Sequence, residues 1–331
     1  MKITERDIGM WAKIGSRATF GLAMAELGKS VENLMVLTAD TSTSAGLDRF
    51  KKAFPDKFQD VGISEQNMIL VAAGLASEGF NVVTATFAPF QTMRCCEQIR
   101  VNLGYMKKKV TLVGLASGVV LGTLGYTHCC NEDVAVMRAI PNVDVISPAD
   151  CAETAKAASA ALEHNRSVYI RLTGGKDNPA VYKTDYDFKI GKGIVLREGS
   201  DVTLIAAGTM VHRSLAAADI LATQGLSVRV VNMHTIKPLD IDLVNHCAAT
   251  SRLIVTVEEH CILGGLGSAV AERLTTLDQR PAQLLLGFPN EFGKGGEYDH
   301  ILEYYGLTAV GIAESVTARM AGKKSTITVA A

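Results

Sequence analysis

Residues 60–68, DVGISEQNM, set Ser64, Glu65, Gln66 and Asn67 in a row at the head of a long apolar segment, MILVAAGLASEG. Two chemistries suit Glu65. If Ser64 caps a helix, a carboxylate in its first turn is stabilised by the helix dipole. The segment that follows, however, is apolar almost all round, as in a buried helix or an interface. A carboxylate at the mouth of such a helix is costly without a partner or a task. Once desolvated, a carboxylate holds a proton more firmly and can share it with a nitrogen base. On these residues alone both readings stand.

Other groups that could do chemistry are weaker. The seven cysteines include the adjacent pairs Cys95-Cys96 and Cys129-Cys130, the second beside His128. Zinc sites space their sulfurs so that one loop wraps the ion. Adjacent cysteines point about 100° apart on a helix and to opposite faces on a strand, so the pairs read as small buried hydrophobes. Gly264, Gly265 and Gly267 in CILGGLGSAVAERL precede a helical pattern. They lack the G-x-G-x-x-G spacing and the acidic residue of a dinucleotide loop, and read instead as a turn that packs a helix closely on a sheet. No G-x-x-x-x-G-K-[ST] occurs.

The elements that must position these groups alternate. Residues 15–28, 65–78 and 90–104 read as helices. The apolar runs 34–40, 81–87, 109–116, 143–150 and 167–175 have the form of buried parallel strands that end in polar residues. Ligands of such sheets bind beyond the carboxyl ends of the strands, where Asp40, Phe87 and Arg171 fall. After a polar stretch, strands at 201–208, 227–234 and 252–259 alternate with helices at 211–224, 240–249 and 265–276. The expected fold is α/β in two domains, each a mainly parallel β-sheet flanked by helices, with residues 1–180 and 191–331 joined by a linker at 181–190. The 331 residues carry a net charge of −1 and 48% hydrophobic side chains. That excludes an electrostatic footprint for nucleic acid, and no apolar run reaches the ~20 residues of a membrane span. The free-cysteine pattern and a charged N-terminus without an apolar core point to the cytoplasm.

FPDKFQDVGISEQNMILVAAGLASEGF resembles the signature of the transketolase family in its thiamine-diphosphate pyrimidine-binding domain. SRATFG (16–21), LTADTSTSAG (37–46), TATFAPF (84–90) and GTLGYTH (122–128) extend the resemblance. The stretches AAGTMVHRSLAAADILATQGLSVRVVNMHTIKPLD and VTVEEHCILGGLG are similar to the transketolase C-terminal domain. The resemblance implies that Glu65 hydrogen-bonds the aminopyrimidine ring of thiamine diphosphate and promotes proton removal from the thiazolium. It places Asp40 near the thiazolium, Phe87 and Phe90 against the aminopyrimidine, and His128 toward cofactor and sugar. Arg17, Ser44 and Arg171 match positions that hold a sugar phosphate, for which a guanidinium fork is suited.

Two departures bear on the substrate. Ala116-Ser117 replaces a His-Asp pair common in the family, and Leu124 stands where an acid reads a sugar hydroxyl. A buried hydroxyl without a partner costs about 1–3 kcal/mol, so a non-standard ketose such as apulose 4-phosphate is expected in place of xylulose 5-phosphate. No GDG occurs in the chain, so no metal ligand is assigned to it. The resemblance thus implies one subunit of a split transketolase that transfers a two-carbon ketol unit between sugar phosphates. An N-terminal subunit would carry the Mg²⁺-diphosphate site in an α2β2 assembly. A 1-deoxyxylulose-5-phosphate synthase-like enzyme, a 2-oxoacid dehydrogenase β subunit and a non-catalytic scaffold subunit are the alternatives.

Overall fold

Apolar runs too short for helices pair side by side here, and helices cover both faces. The computed structural model describes residues 3–176 and 178–322. The first sheet contains β1 (Leu34–Thr38), β2 (Phe58–Asp60), β3 (Asn81–Phe87), β4 (Val110–Leu115), β5 (Val143–Ile146) and β6 (Ser167–Arg171). The second contains β7 (Ile194–Arg197), β8 (Val202–Ala206), β9 (Val228–Asn232), β11 (Leu253–Cys261) and β12 (Ala282–Phe288). The remaining strand, β10 (Thr235–Lys237), follows β9 in the chain yet joins the first sheet, antiparallel to β5.

The strand orders are β10-β5-β6-β4-β3-β1-β2 and β12-β11-β8-β9-β7. All other pairs are parallel except β7 with β9. The two-domain α/β expectation is borne out, and β10 adds a tie between the domains that periodicity does not reveal. Three residues carry too little pattern to be read as a strand. Among the described residues no helix is long and apolar enough to cross a membrane.

The helix read over 65–78 is Glu65–Ser77. It buries Met68, Ile69, Ala72 and Ala73 against the sheet, whereas Leu70 is 49% exposed. Its apolar composition therefore serves one face packed on the core and one face left open. The single helix read over 90–104 is instead broken into Ala88–Gln91, Cys96–Gln98 and a π-helical turn, Ile99–Tyr105. The break falls at Thr92, whose N–H and hydroxyl both donate to the Ala88 carbonyl, at 3.0 and 2.7 Å, a sharing that bends helices.

Residues 181–190 contain no helix or strand, but they are anchored. Tyr182 stacks on Tyr186 at 3.7 Å, and Tyr186 donates a hydrogen bond to Glu153 at 2.7 Å. The carboxylate of Asp150 caps the helix Cys151–Glu163 and accepts from the backbone N–H of Val181 and Tyr182. Burial pushes Asp150 up to about 6 and raises Glu153, despite these bonds. A segment that reads as polar linker is thus stitched to the first domain.

Candidate functional site

Most of the candidate residues lie beyond the carboxyl ends of the first sheet's strands, where loops leave the parallel ladder. After β1 the chain turns at Asp40, whose backbone has a positive φ of 57° and whose N–H donates to Asp60 Oδ1 at 3.0 Å. Asp60, not singled out from the sequence, also accepts from Gly62 N–H and Thr38 Oγ1. Partial burial would raise its carboxyl, but these bonds hold it below its usual range. Asp60 thereby fixes the turn that leads into Glu65, while the exposed Asp40 sits on that turn as a bend former.

Glu65 opens its helix with 4% exposure. Ser64 does not cap that helix; its hydroxyl donates to the Val61 carbonyl instead. The Glu65 charge is met by Arg94, with Nη1 2.8 Å from Oε2. The other oxygen, Oε1, accepts no hydrogen bond from the described residues. The Arg94 guanidinium also lies 3.9 Å from the Phe90 ring centroid, and Gln66 Nε2 donates to the Arg94 carbonyl at 3.1 Å. Arg94 was missed in the sequence. The signal available was a lone cation amid the apolar and uncharged residues 81–96, which needs a partner once that stretch folds.

Phe87, Phe90 and His128 form one aromatic group. Phe87 meets Phe90 edge-on at 6.3 Å, and His128 meets the two rings at 6.0 and 5.5 Å. Thr127 Oγ1 lies 3.0 Å from His128 Nδ1, which leaves Nε2 available. Leu124, four residues before His128, is 56% exposed. Ala116 and Ser117 are buried, and Ser117 Oγ donates back to the Gly114 carbonyl.

Arg17 and Ser44 line a hollow of ≈ 190 Å³ together with Thr43, Gly174, Gly175 and Lys176. Arg17 Nη1 donates to the Ser44 carbonyl at 3.4 Å, and burial lowers its pKa from the usual arginine value. Lys176 is a second cation in this wall that the sequence reading did not single out.

Arg171 is largely engaged within the protein. It is 3% exposed, and its Nε donates to both oxygens of buried Asp133 at 3.0 and 2.8 Å. Its Nη2 donates to the Glu259 carbonyl at 2.7 Å and the Cys130 carbonyl at 3.4 Å. Asp133 and Glu259 raise its pKa against the lowering effect of burial. Nε and Nη2 of the guanidinium thus brace the seam between the domains, while Nη1 has no hydrogen-bond partner among the described residues.

The weaker motifs also find places. Burial pushes the thiols up, to about 12 for Cys95 and about 11 for Cys129, with Cys130 well above its usual value. The Gly-rich turn receives the protein's own carboxylate: Glu258 accepts from Leu266 N–H at 2.7 Å and Gly267 N–H at 2.8 Å. A Cβ on Gly265 would strike Glu258 Oε2, so the close approach needs glycine.

Comparison with known proteins matches residues 12–176 to the transketolase pyrimidine-binding domain and residues 191–312 to the transketolase C-terminal domain. A Methanocaldococcus jannaschii chain named as a transketolase C-terminal section is 40% identical, over 92% of this chain and 96% of that one. A Phocaeicola vulgatus chain, named as one of the subunits of an apulose-4-phosphate transketolase, is 34% identical, over 91% of this chain and 96% of that one. A solved structure titled as a split-gene transketolase, an inactive β4 tetramer, superposes with a TM-score of 0.86 at 39% identity. It covers 94% of this chain and 100% of its own.

Proposed function

The chain belongs to the transketolase family, and on that premise we propose that it is the C-terminal subunit of a two-subunit, thiamine-diphosphate-dependent transketolase. It transfers a two-carbon ketol unit from a ketose phosphate to an aldose phosphate. The observation that carries this reading is Glu65, a carboxylate of 4% exposure linked through one planar cation to the Phe90 ring.

That arrangement fits the aminopyrimidine of thiamine diphosphate. The site already takes a flat, N–H-bearing π group between carboxylate and phenyl ring, namely its own Arg94 guanidinium, and Oε1 remains free to accept. The chemistry supplied by the cofactor is reversible cleavage of a ketose carbon–carbon bond and carriage of the two-carbon fragment. Glu65 would hold a proton against a ring nitrogen, and burial keeps water from competing for it. Phe87 and Phe90 would pack the ring and fix its plane. Asp40 would lie nearest the thiazolium side, at the end of β1. His128 would exchange a proton with a substrate hydroxyl through Nε2.

Arg17 and Ser44 would bind the sugar phosphate, with Lys176 on the same wall, and Arg171 would add only its unengaged Nη1. Mg²⁺ and the diphosphate would lie on the N-terminal partner, in an α2β2 assembly of the cytoplasm. Leu124 and the buried Ala116-Ser117 disfavour a donor that presents a hydroxyl to be read there. The relative named for apulose 4-phosphate makes that branched ketose the first substrate to try.

Glu65→Gln tests the reading in the complex with the N-terminal subunit. Turnover is expected to fall about 10²-fold or more, with the unfolding midpoint nearly unchanged. Undiminished turnover would mean that the chain acts as a scaffold. Full activity from this chain alone with thiamine diphosphate would sink the two-subunit arrangement.

A further inference from the structure

The loop that carries His128 belongs to the first domain and is held by groups of the second. It closes at its neck through a two-hydrogen-bond bridge, Gly118 N–H to the Cys130 carbonyl at 2.9 Å and Cys130 N–H to the Gly118 carbonyl at 2.8 Å. Val119 and Cys129, just inside that neck, are buried in the hydrophobic cluster of the second sheet, beside Val257, Phe288 and Ile301. His128, between them in the chain, meets Phe87 and Phe90 of the first domain.

Second-domain groups hold the loop at two separate places. At the neck, Glu259 on β11 accepts from Val119 N–H at 3.0 Å. Glu259 is itself fixed by Thr209 Oγ1 at 2.8 Å and Tyr298 Oη at 2.7 Å. Arg171 adds a brace by donating to both the Cys130 and Glu259 carbonyls. Farther along the loop the fit is closer. Gly296 N–H donates to the Gly122 carbonyl at 3.0 Å, and a Cβ on Gly122 would stand 2.5 Å from the Gly296 carbonyl oxygen. Tyr126 meets Phe292 edge-on at 5.5 Å. A Cβ on Gly293 would run into Tyr305 Oη and stand 2.8 Å from Tyr126 Oη.

We propose that the C-terminal domain sets the substrate-facing position of His128 by clamping residues 119–129 between Glu259 and the 292–296 segment. Glu259, Gly293, Gly296 and Tyr126 are then positioning residues: they touch no reacting atom but fix the loop that does. The inference rests on the proposed function for the role of His128, while the clamp itself is a property of the free chain. It gives a domain with no candidate catalytic residue of its own a share in substrate affinity.

The test pairs Gly293→Ala, on the second-domain side, with Tyr126→Leu, on the loop side. Hydrogen–deuterium exchange of the full chain should speed up about tenfold in the 119–129 peptide and stay constant in β3 and β4. In the reconstituted complex, with apulose 4-phosphate as the ketose, KM should rise about tenfold while kcat changes less than about twofold. Exchange that stays at the wild-type rate in both variants overturns the clamp. Faster exchange with an unchanged KM overturns its role in substrate binding. Should Gly293→Ala unfold, Tyr126→Leu alone decides, since it removes the ring that meets Phe292 and leaves an apolar side chain in its place. If the wild-type complex shows no turnover, the proposed function fails, and exchange still tests the clamp.

Discussion

Two arginine–carboxylate pairs of nearly equal geometry differ in how far the protein closes around them. Arg94–Glu65 and Arg171–Asp133 both close at 2.8 Å. The side chains of the first pair are 43% and 4% exposed, those of the second 3% and 0%. In the first, a half-exposed cation meets a buried carboxylate from the solvent side and leaves one carboxylate oxygen open. In the second, both partners are buried, and Nη2 of the guanidinium ends on backbone carbonyls while Nη1 has no partner among the described residues. Ion-pair distance therefore says little about role. What separates a site from a brace is the remaining valence of each partner and the solvent's access to it.

The sharpest break of that comparison is Arg171→Met. Removing one member of a buried pair leaves Asp133 uncompensated, which costs about 3–5 kcal/mol. Denaturant unfolding of the free chain should register most of that loss. A phosphate ligand would behave otherwise, with stability intact and KM for the sugar phosphate raised. The same measurement thus decides between the expectation carried by the sequence resemblance and the placement seen in the fold.

A third buried carboxylate sharpens the comparison by having no arginine in hydrogen-bond contact. Glu258 rests on the N–H groups of Leu266 and Gly267, and burial raises its pKa from 4.5 to about 7 against those bonds. Between these two values the folded chain keeps a proton that the unfolded chain has released. Stability contributed by this group is present at low pH and is lost as pH rises through about 7, by about 3 kcal/mol across the window. Glu258→Gln should remove that part of the slope in unfolding free energy measured from pH 4.5 to 8. An unchanged slope would mean that solvent or a neighbour relieves the burial.

The limits of the sequence follow the same division. The strands and the helix behind Glu65 are legible because apolar runs and their polar ends are local patterns. Phe87, Phe90 and His128 are legible as residues, and the fold brings them together. Arg171 is legible as a cation at a strand end, but its partners lie 38 and 88 positions away, so its commitment is not. The strand β10 is hidden by its three-residue length, and the packing of 181–190 by polar residues around two tyrosines that turn inward. Arg94 is hidden for a subtler reason. Its task depends on the broken helical path from Ala88 to Tyr105, which periodicity reads as one straight helix.

The smallest expected effect falls on the open pair. Arg94→Met removes a cation that is 43% exposed, so water can enter on the side it leaves, and partly exposed pairs contribute about 0–1 kcal/mol. The unfolding midpoint of the free chain should hardly move, in contrast to Arg171→Met. The methionine keeps contact with the Phe90 ring through its thioether, so any loss above about 1 kcal/mol belongs to the charge. Such a loss would place Glu65 among the sealed carboxylates. A small one leaves it as the only member of the two pairs whose burial is not offset within the free chain by a committed partner, which is the condition of a carboxylate kept for a ligand.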